Sequence, residues 1–190
     1  STGALSFIER RIGEARRAGG GPNDYDDKVQ VSDGSLTDTQ DIAITVTNVN
    51  EAPVISSNGG GTTAAVNVAE NSTAVTTVTS TDVDAAATAT YSIIGGADAG
   101  KFTIDASTGA LSFKTGPNYE SPTDDGANNV YDVTVQVSDG LGGTDTQAIA
   151  VTVTNVNEAP VITSNGSGTT AALNVAENST AVTTVTSTDV

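Results

Sequence analysis

Apolar and polar residues alternate along most of this chain with the two-residue period of β-strands. The two longest predicted strands place Val133, Val135 and Val137 on one inward face, and Ile149, Val151 and Val153 on another. Further strands are predicted at 64–68, 74–80 (with Val75 and Val78 pointing inward), 91–94, 101–104 and 110–113. No segment combines helical periodicity with caps. The pattern predicts an all-β sandwich of about seven strands per module, with two sheets packed face to face.

An internal repeat sets the domain organisation. Residues 48–83 and 155–190 differ only at Ser56/Thr163, Gly60/Ser167 and Val66/Leu173, and residues 1–7 repeat as 107–113. A repeat of roughly 100 residues is the size of an immunoglobulin-like β-sandwich. We therefore expect the C-terminal part of one module at 1–50, a complete module at 51–157 and the N-terminal part of a third at 158–190, as in a fragment of a tandem array.

The amino-acid composition disfavours several classes of partner and of chemistry. The net charge of −16 disfavours nucleic acid and anionic membranes as partners, because both would repel the chain. The sequence has no His and no Cys, which removes the commonest general base and the commonest transition-metal ligands. No apolar run approaches the roughly 20 residues of a membrane-spanning helix. These features predict that the chain is not an enzyme, although paired acids such as Asp124 and Asp125 can in principle perform acid–base chemistry.

Carboxylates and side-chain amides are concentrated at strand ends and at the unit boundaries. They are Glu70, Asp82, Asp84, Glu120, Asp139, Asn155, Asn157 and Glu158. Oxygen ligands in irregular loops favour calcium, which takes about six to eight oxygens in flexible geometry. Each acid by itself also fits a plain turn or a solvated loop. The recurrence of most of them with the repeat favours binding.

In this order and spacing, these motifs resemble the cadherin repeat, in the bacterial cadherin-like form found in very large surface and secreted proteins. The segments that carry the resemblance are Ala-Glu-Asn at 69–71, Asp-Val-Asp at 82–84, Phe-Thr-Ile-Asp-Ala-Ser-Thr-Gly-Ala-Leu at 102–111, Val-Ser-Asp-Gly at 137–140 and Asn-Val-Asn-Glu-Ala-Pro at 155–160.

The resemblance implies calcium ions between consecutive modules, with two sets of ligands in this chain. For the junction after the complete module the implied ligands are Glu70, Glu120, Asn155, Asn157, Glu158 and Asp189. For the junction before it they are Asn48, Asn50, Glu51, Asp82, Asp84 and Asp139. The linkers have Asn where the family usually has Asp and are one residue shorter, which implies fewer ions or weaker binding per junction.

The function implied by the resemblance is calcium-dependent stiffening of an extracellular or cell-surface array used in cell adhesion, with the secretion signal and anchor outside this fragment. Implied partners are calcium, the adjacent repeats and, for adhesion, like modules on another cell or a surface glycan. The alternatives are a carbohydrate- or surface-binding module, whose usual aromatic platform is poorly supplied by 4% aromatic residues, and a passive acidic spacer.

One segment departs from the repeat. Residues 8–23 contain every Arg of the chain, whereas the aligned stretch 114–129 has none. Its length is conserved, because Tyr25 and Asp26 still align with Tyr131 and Asp132. A shifted reading frame and a genuine basic patch or short helix both account for this pattern.

Overall fold

The computed structural model describes residues 24–84 and 88–189. Within these ranges the chain forms short and long strands, one 3₁₀ turn at Ala99–Lys101 and no α-helix, and no helix long and apolar enough to cross a membrane is found there. The strands are β1 Asp24–Ser32, β2 Thr37–Thr45, β3 Val54–Ile55, β4 Thr63–Ala69, β5 Ala74–Thr77, β6 Ser80–Thr81, β7 Thr90–Gly95, β8 Phe102–Ile104, β9 Ala110–Phe113, β10 Val130–Ser138, β11 Thr144–Thr154, β12 Val161–Ile162 and β13 Ser187–Thr188.

Among the described residues, strands β3 to β11 pair only with one another, and we call this part of the chain the middle module. Its larger sheet has the order β4-β11-β10-β7, its smaller sheet the order β5-β9-β8, and β3 pairs with β6. The pairing of β4 with β11 is parallel and the other pairings are antiparallel. The prediction of an all-β sandwich is confirmed.

The core of the middle module follows the alternation in the sequence. The predicted inward residues of β10 and β11 are each 0–1% exposed. Three rings fill the space between the sheets: Phe102 stacks on Phe113 with centroids 4.5 Å apart, and Tyr131 meets Phe113 edge-on at 5.1 Å. The β-branched residues thus pack one pleated face, while the aromatic rings supply bulk that Val cannot.

The predicted continuous strand over 74–80 is wrong. β5 ends at Thr77, and β6 begins at Ser80 in a different sheet, because β5 pairs with β9 and β6 pairs with β3. The buried Val78 lies at this switch and donates its backbone N–H to the carbonyl of Gly109 at 2.8 Å. Gly109 has φ +72°, and a Cβ there would lie 2.0 Å from the Val78 oxygen. Glycine is therefore required where the two segments cross.

The flanking parts repeat local pairings of the middle module. β1 and β2 form a hairpin, as β10 and β11 do, and the pair Val161–Thr188 in β12 and β13 corresponds to Val54–Thr81 in β3 and β6. The near-identity of the sequence explains the equivalent pairings. The basic segment 8–23 lies outside the described residues.

Candidate metal centre

Three carboxylates meet at one end of the middle module. Glu70 directly follows β4, Glu120 lies in the loop between β9 and β10, and Glu158 lies in the linker after β11. One carboxylate oxygen from each lies within 4.8 Å of the others. Glu70 is buried, Glu158 is partly buried and Glu120 is exposed. Three acids that are distant in sequence therefore share one site, which we call the glutamate cluster.

Glu70 is the structural centre of the glutamate cluster. Its carboxylate accepts the backbone N–H of Tyr119 and that of Val156, both at 2.8 Å. These hydrogen bonds lower the pKa of Glu70, first through Tyr119 and then through Val156. A single ionised side chain therefore joins β4 to the loop that carries Glu120 and to the linker that carries Glu158.

The other two carboxylates are each bonded to an asparagine amide. Asn155 donates its Nδ2 to Glu120, and Asn71 donates its Nδ2 to Oε1 of Glu158 at 3.0 Å. The second oxygen of Glu158, Oε2, is buried and has no hydrogen-bond partner. A desolvated carboxylate oxygen without a partner is costly. A hard cation at the glutamate cluster would satisfy it, so the residues present fit calcium.

The remaining residues implied for this junction differ in their placement. Asn157 bonds to the backbone oxygen of its neighbour Glu158 at 3.2 Å. Asp189 follows β13, is exposed and is not a member of the glutamate cluster. The structure thus brings Glu70, Glu120, Asn155 and Glu158 together. The assignment of all six residues as calcium ligands stays a prediction.

A second acidic group lies at the opposite end of the larger sheet. Asp84 accepts the Nδ2 of Asn48 at 2.7 Å and the backbone N–H of Glu51 at 2.8 Å. Its own backbone N–H donates to Oδ1 of Asp82 at 2.8 Å. The loop after β6 is therefore joined to the linker that precedes β3. This is where the preceding junction was predicted.

Asp139 is bonded to the same linker through Asn50. It is 4% exposed and accepts the Nδ2 of Asn50 at 2.7 Å, as well as the backbone N–H groups of Leu141 and Gly143 at 2.7 and 2.9 Å. The Asn50 amide is the main cause of the lowered pKa of Asp139. Oδ2 of Asp82 is buried and lacks a hydrogen-bond partner, as Oε2 of Glu158 is in the glutamate cluster. We call Asp82, Asp84 and Asp139 the aspartate group.

The asparagines face these carboxylates with their N–H groups. Asn48, Asn50 and Asn155 each donate to a carboxylate that was also predicted as a ligand. An amide N–H carries partial positive charge and partly neutralises the acid, whereas a metal would require the amide oxygen. Sequence reasoning missed Asn71 and the backbone donors Tyr119 and Val156, because only the folded chain brings them to Glu158 and Glu70.

The lowered pKa values of Glu70 and Asp139 predict acid destabilisation of the calcium-free module. Both groups bind protons less readily in the folded chain than in the unfolded chain, where the values are near 4.5 and 3.8. Their stabilisation is present above the unfolded pKa values and is lost as the pH falls through the folded ones. We expect the melting temperature in chelator to fall between about pH 5 and pH 3, measured by circular dichroism. A carbon-13 titration of Glu70 with a midpoint at or above 4.5 would contradict this cause of the acid destabilisation.

Comparisons with known proteins agree with this fold. Residues 64–156 match the Cadherin domain family model. Over 129 residues the chain is 33% identical to Protocadherin Fat 1 of Homo sapiens, an alignment that covers 65% of this chain and 3% of that protein. The chain thus spans a very small part of its curated relative.

Solved structures give the same result at the level of the fold. Human CDH23 EC21-23 aligns with a TM-score of 0.57 at 17% identity, over 88% of this chain and 54% of that chain. Mouse Cadherin-23 EC22-24 aligns at 0.53 and 22% identity, over 70% and 43% of the two chains. Drosophila N-cadherin EC1-4 aligns at 0.51 and 19% identity, over 75% and 36%. The family model thus matches the central part of this chain, and the solved structures share its fold.

Proposed function

We propose that this chain binds calcium at the two ends of its middle module and that the bound ions stiffen the linkers to the neighbouring modules. The observation that carries the proposal is the glutamate cluster, in which a buried carboxylate oxygen lacks a partner. Cadherin domains in general bind calcium at domain junctions and mediate cell adhesion.

The donor chemistry selects the metal class. Both acidic groups offer carboxylate oxygens, and the sequence contains neither His nor Cys. Such ligands suit hard cations, and irregular loops suit calcium better than magnesium, which demands a rigid octahedron. Glu70, Glu120 and Glu158 would hold the ion at one end, and Asp82, Asp84 and Asp139 at the other. The bound ion would supply positive charge that offsets the mutual repulsion of the carboxylates.

The stiffening follows from where the ligands lie. Glu158 belongs to a linker, whereas Glu70 and Glu120 belong to the module. Calcium held by all three restricts the linker relative to the sandwich, and the free energy of this ordering is linked to calcium activity. Extracellular modules bind calcium at about 10⁻⁴–10⁻³ M, which suits a cell-surface array. Adhesion through like modules or a surface glycan, and an extracellular location, are parts of this proposal.

Asp124, one of the paired acids that an enzyme would need, has a structural role in the loop between β9 and β10. Both carboxylate oxygens of Asp124 accept backbone N–H groups, from Asn128 at 2.9 Å and from Asn129 at 3.1 Å. Asp124 therefore shapes the loop before β10. This use of its oxygens favours the binding function over an acid–base reaction.

The proposal is tested by calcium titration. We expect saturable binding at about millimolar or tighter concentration, seen by isothermal calorimetry, with a higher melting temperature in calcium than in chelator. Asp139→Asn removes a charge from the aspartate group and should weaken that site by about tenfold or more. Asp33→Asn is the matched control, because Asp33 makes the same kind of turn contacts, to Ser35 and Leu36, without a described linker contact. Calcium-independent melting together with no binding heat would overturn the proposal.

A further inference from the structure

Asn71 lies where the three segments of the glutamate cluster meet. It directly follows Glu70, its backbone N–H donates to the carbonyl of Pro117 at 2.8 Å, and its side chain donates to Glu158 at 3.0 Å. Pro117 lies in the loop that carries Glu120. One residue therefore contacts each of the three stretches of chain that supply a carboxylate.

The packing around Asn71 is tight. Gly116 approaches it so closely that a Cβ on Gly116 would lie 3.0 Å from the Asn71 carbonyl carbon and 3.1 Å from its oxygen. Asn71 itself has φ +61°, a left-handed conformation that asparagine tolerates better than most residues. The loop and the end of β4 are thus held at a fixed separation, and the side chain of Asn71 is directed by a constrained backbone.

The hydrogen bond to Glu158 has a consequence for the carboxylate. Oε1 of Glu158 accepts the hydrogen bond from Asn71, while Oε2 is buried and lacks a hydrogen-bond partner. A donor on one oxygen fixes the rotamer of the carboxylate and leaves the other oxygen for a cation. Donors that orient metal ligands in this way typically change metal affinity by about 10–100-fold when they are removed.

We propose that Asn71 is a positioning residue that sets the calcium affinity of the glutamate cluster by holding Glu158 against the module. This inference rests on the proposed function, and it adds a residue outside the ligand set implied by the sequence. Asn71 acts through Glu158 and through the loop of Glu120, so its contribution is confined to one of the two acidic groups.

Asn71→Gly is the sharpest test. Glycine accepts positive φ and keeps the backbone bond to Pro117, so the substitution removes only the side-chain amide. Asn178→Gly is the matched control: Asn178 occupies the same Ala-Glu-Asn sequence, has φ +62° and is exposed. Both variants carry the same entropic cost of a new glycine.

Calcium titration followed by amide NMR resolves the two ends of the module. The amides of Tyr119 and Val156 report on the glutamate cluster, and those of Glu51 and Gly143 report on the aspartate group. For Asn71→Gly we expect about a tenfold or greater loss of affinity at Tyr119 and Val156, and no change at the other two amides. Asn178→Gly should change neither pair.

A calcium-free measurement separates this inference from the proposed function. In chelator, Asn71→Gly should lower the heteronuclear NOE of the Asn157 and Glu158 amides, because the linker loses the hydrogen bond from Asn71 to Glu158. If the wild type binds calcium and Asn71→Gly binds it with the same affinity, the positioning role is overturned and the proposed function stays intact. Absence of calcium shifts at Tyr119 and Val156 in the wild type would overturn the proposed function at this cluster and the affinity role with it. In that case a lowered NOE in Asn71→Gly would still establish that the Asn71 side chain restrains the linker.

Discussion

Replacing Tyr131 with alanine is expected to destabilise the middle module by about 3–5 kcal/mol, the usual cost of removing a buried aromatic side chain. Tyr131 is 1% exposed, packs edge-on against Phe113 and lies 6.5 Å from Phe102 between ring centroids. Its hydroxyl accepts the backbone N–H of Thr123 at 3.1 Å. The substitution leaves a cavity and also releases the loop that carries Glu120, so calcium binding should weaken with stability.

Tyr131→Phe is the graded control for this prediction. It keeps the ring and removes only the hydrogen bond to Thr123, so the expected cost is about 1 kcal/mol. Urea unfolding, monitored by circular dichroism in chelator, measures both variants without a contribution from the metal. Equal costs for the two substitutions would show that the hydroxyl, and not the packing of the ring, carries the stabilisation.

Glu70→Gln is expected to lower the calcium affinity of the glutamate cluster by at least about a hundredfold. The substitution removes a full negative charge from the most buried member of the cluster. It also places an amide N–H₂ opposite one of the two backbone donors, Tyr119 or Val156, that the carboxylate accepts. The lost charge weakens the attraction for the cation. The lost acceptor weakens the hydrogen bonds that hold the loop and the linker against the end of β4.

Glu177→Gln is the matched control, because Glu177 stands in the same Ala-Glu-Asn sequence and is exposed. Isothermal calorimetry on both variants, with amide NMR of Tyr119 and Val156, measures the loss at the intended site. A Glu70→Gln protein that binds calcium as tightly as the wild type at these amides would remove Glu70 from the ligand set. An equal loss in Glu177→Gln would indicate a general charge effect.

Several features of the fold were predictable from local pattern alone. The alternation at 133–137 and 149–153 specified two buried strand faces, because side chains in a strand point to opposite sides with a period of two. The repeat predicts only that β12 and β13 pair as β3 and β6 do, because nearly identical sequences form the same local pairs. The break of the strand at Val78 was not predictable, since only the pairing of β5 and β6 with different partners reveals it.

For the candidate sites too, some features were predictable from the sequence and others are visible only in the folded chain. The class of metal that we propose follows from residue types alone, because the chain has carboxylates and amides at loop positions and no His or Cys. Which acids meet is known only from the folded chain, which brings Glu158 to Glu70 and Glu120 and leaves Asp189 outside that cluster. The fold also places the Asn71 amide against Glu158. Ligand type is a property of single side chains, whereas a site requires atoms from distant segments to converge. That convergence depends on how the sheets pair and on where their loops end.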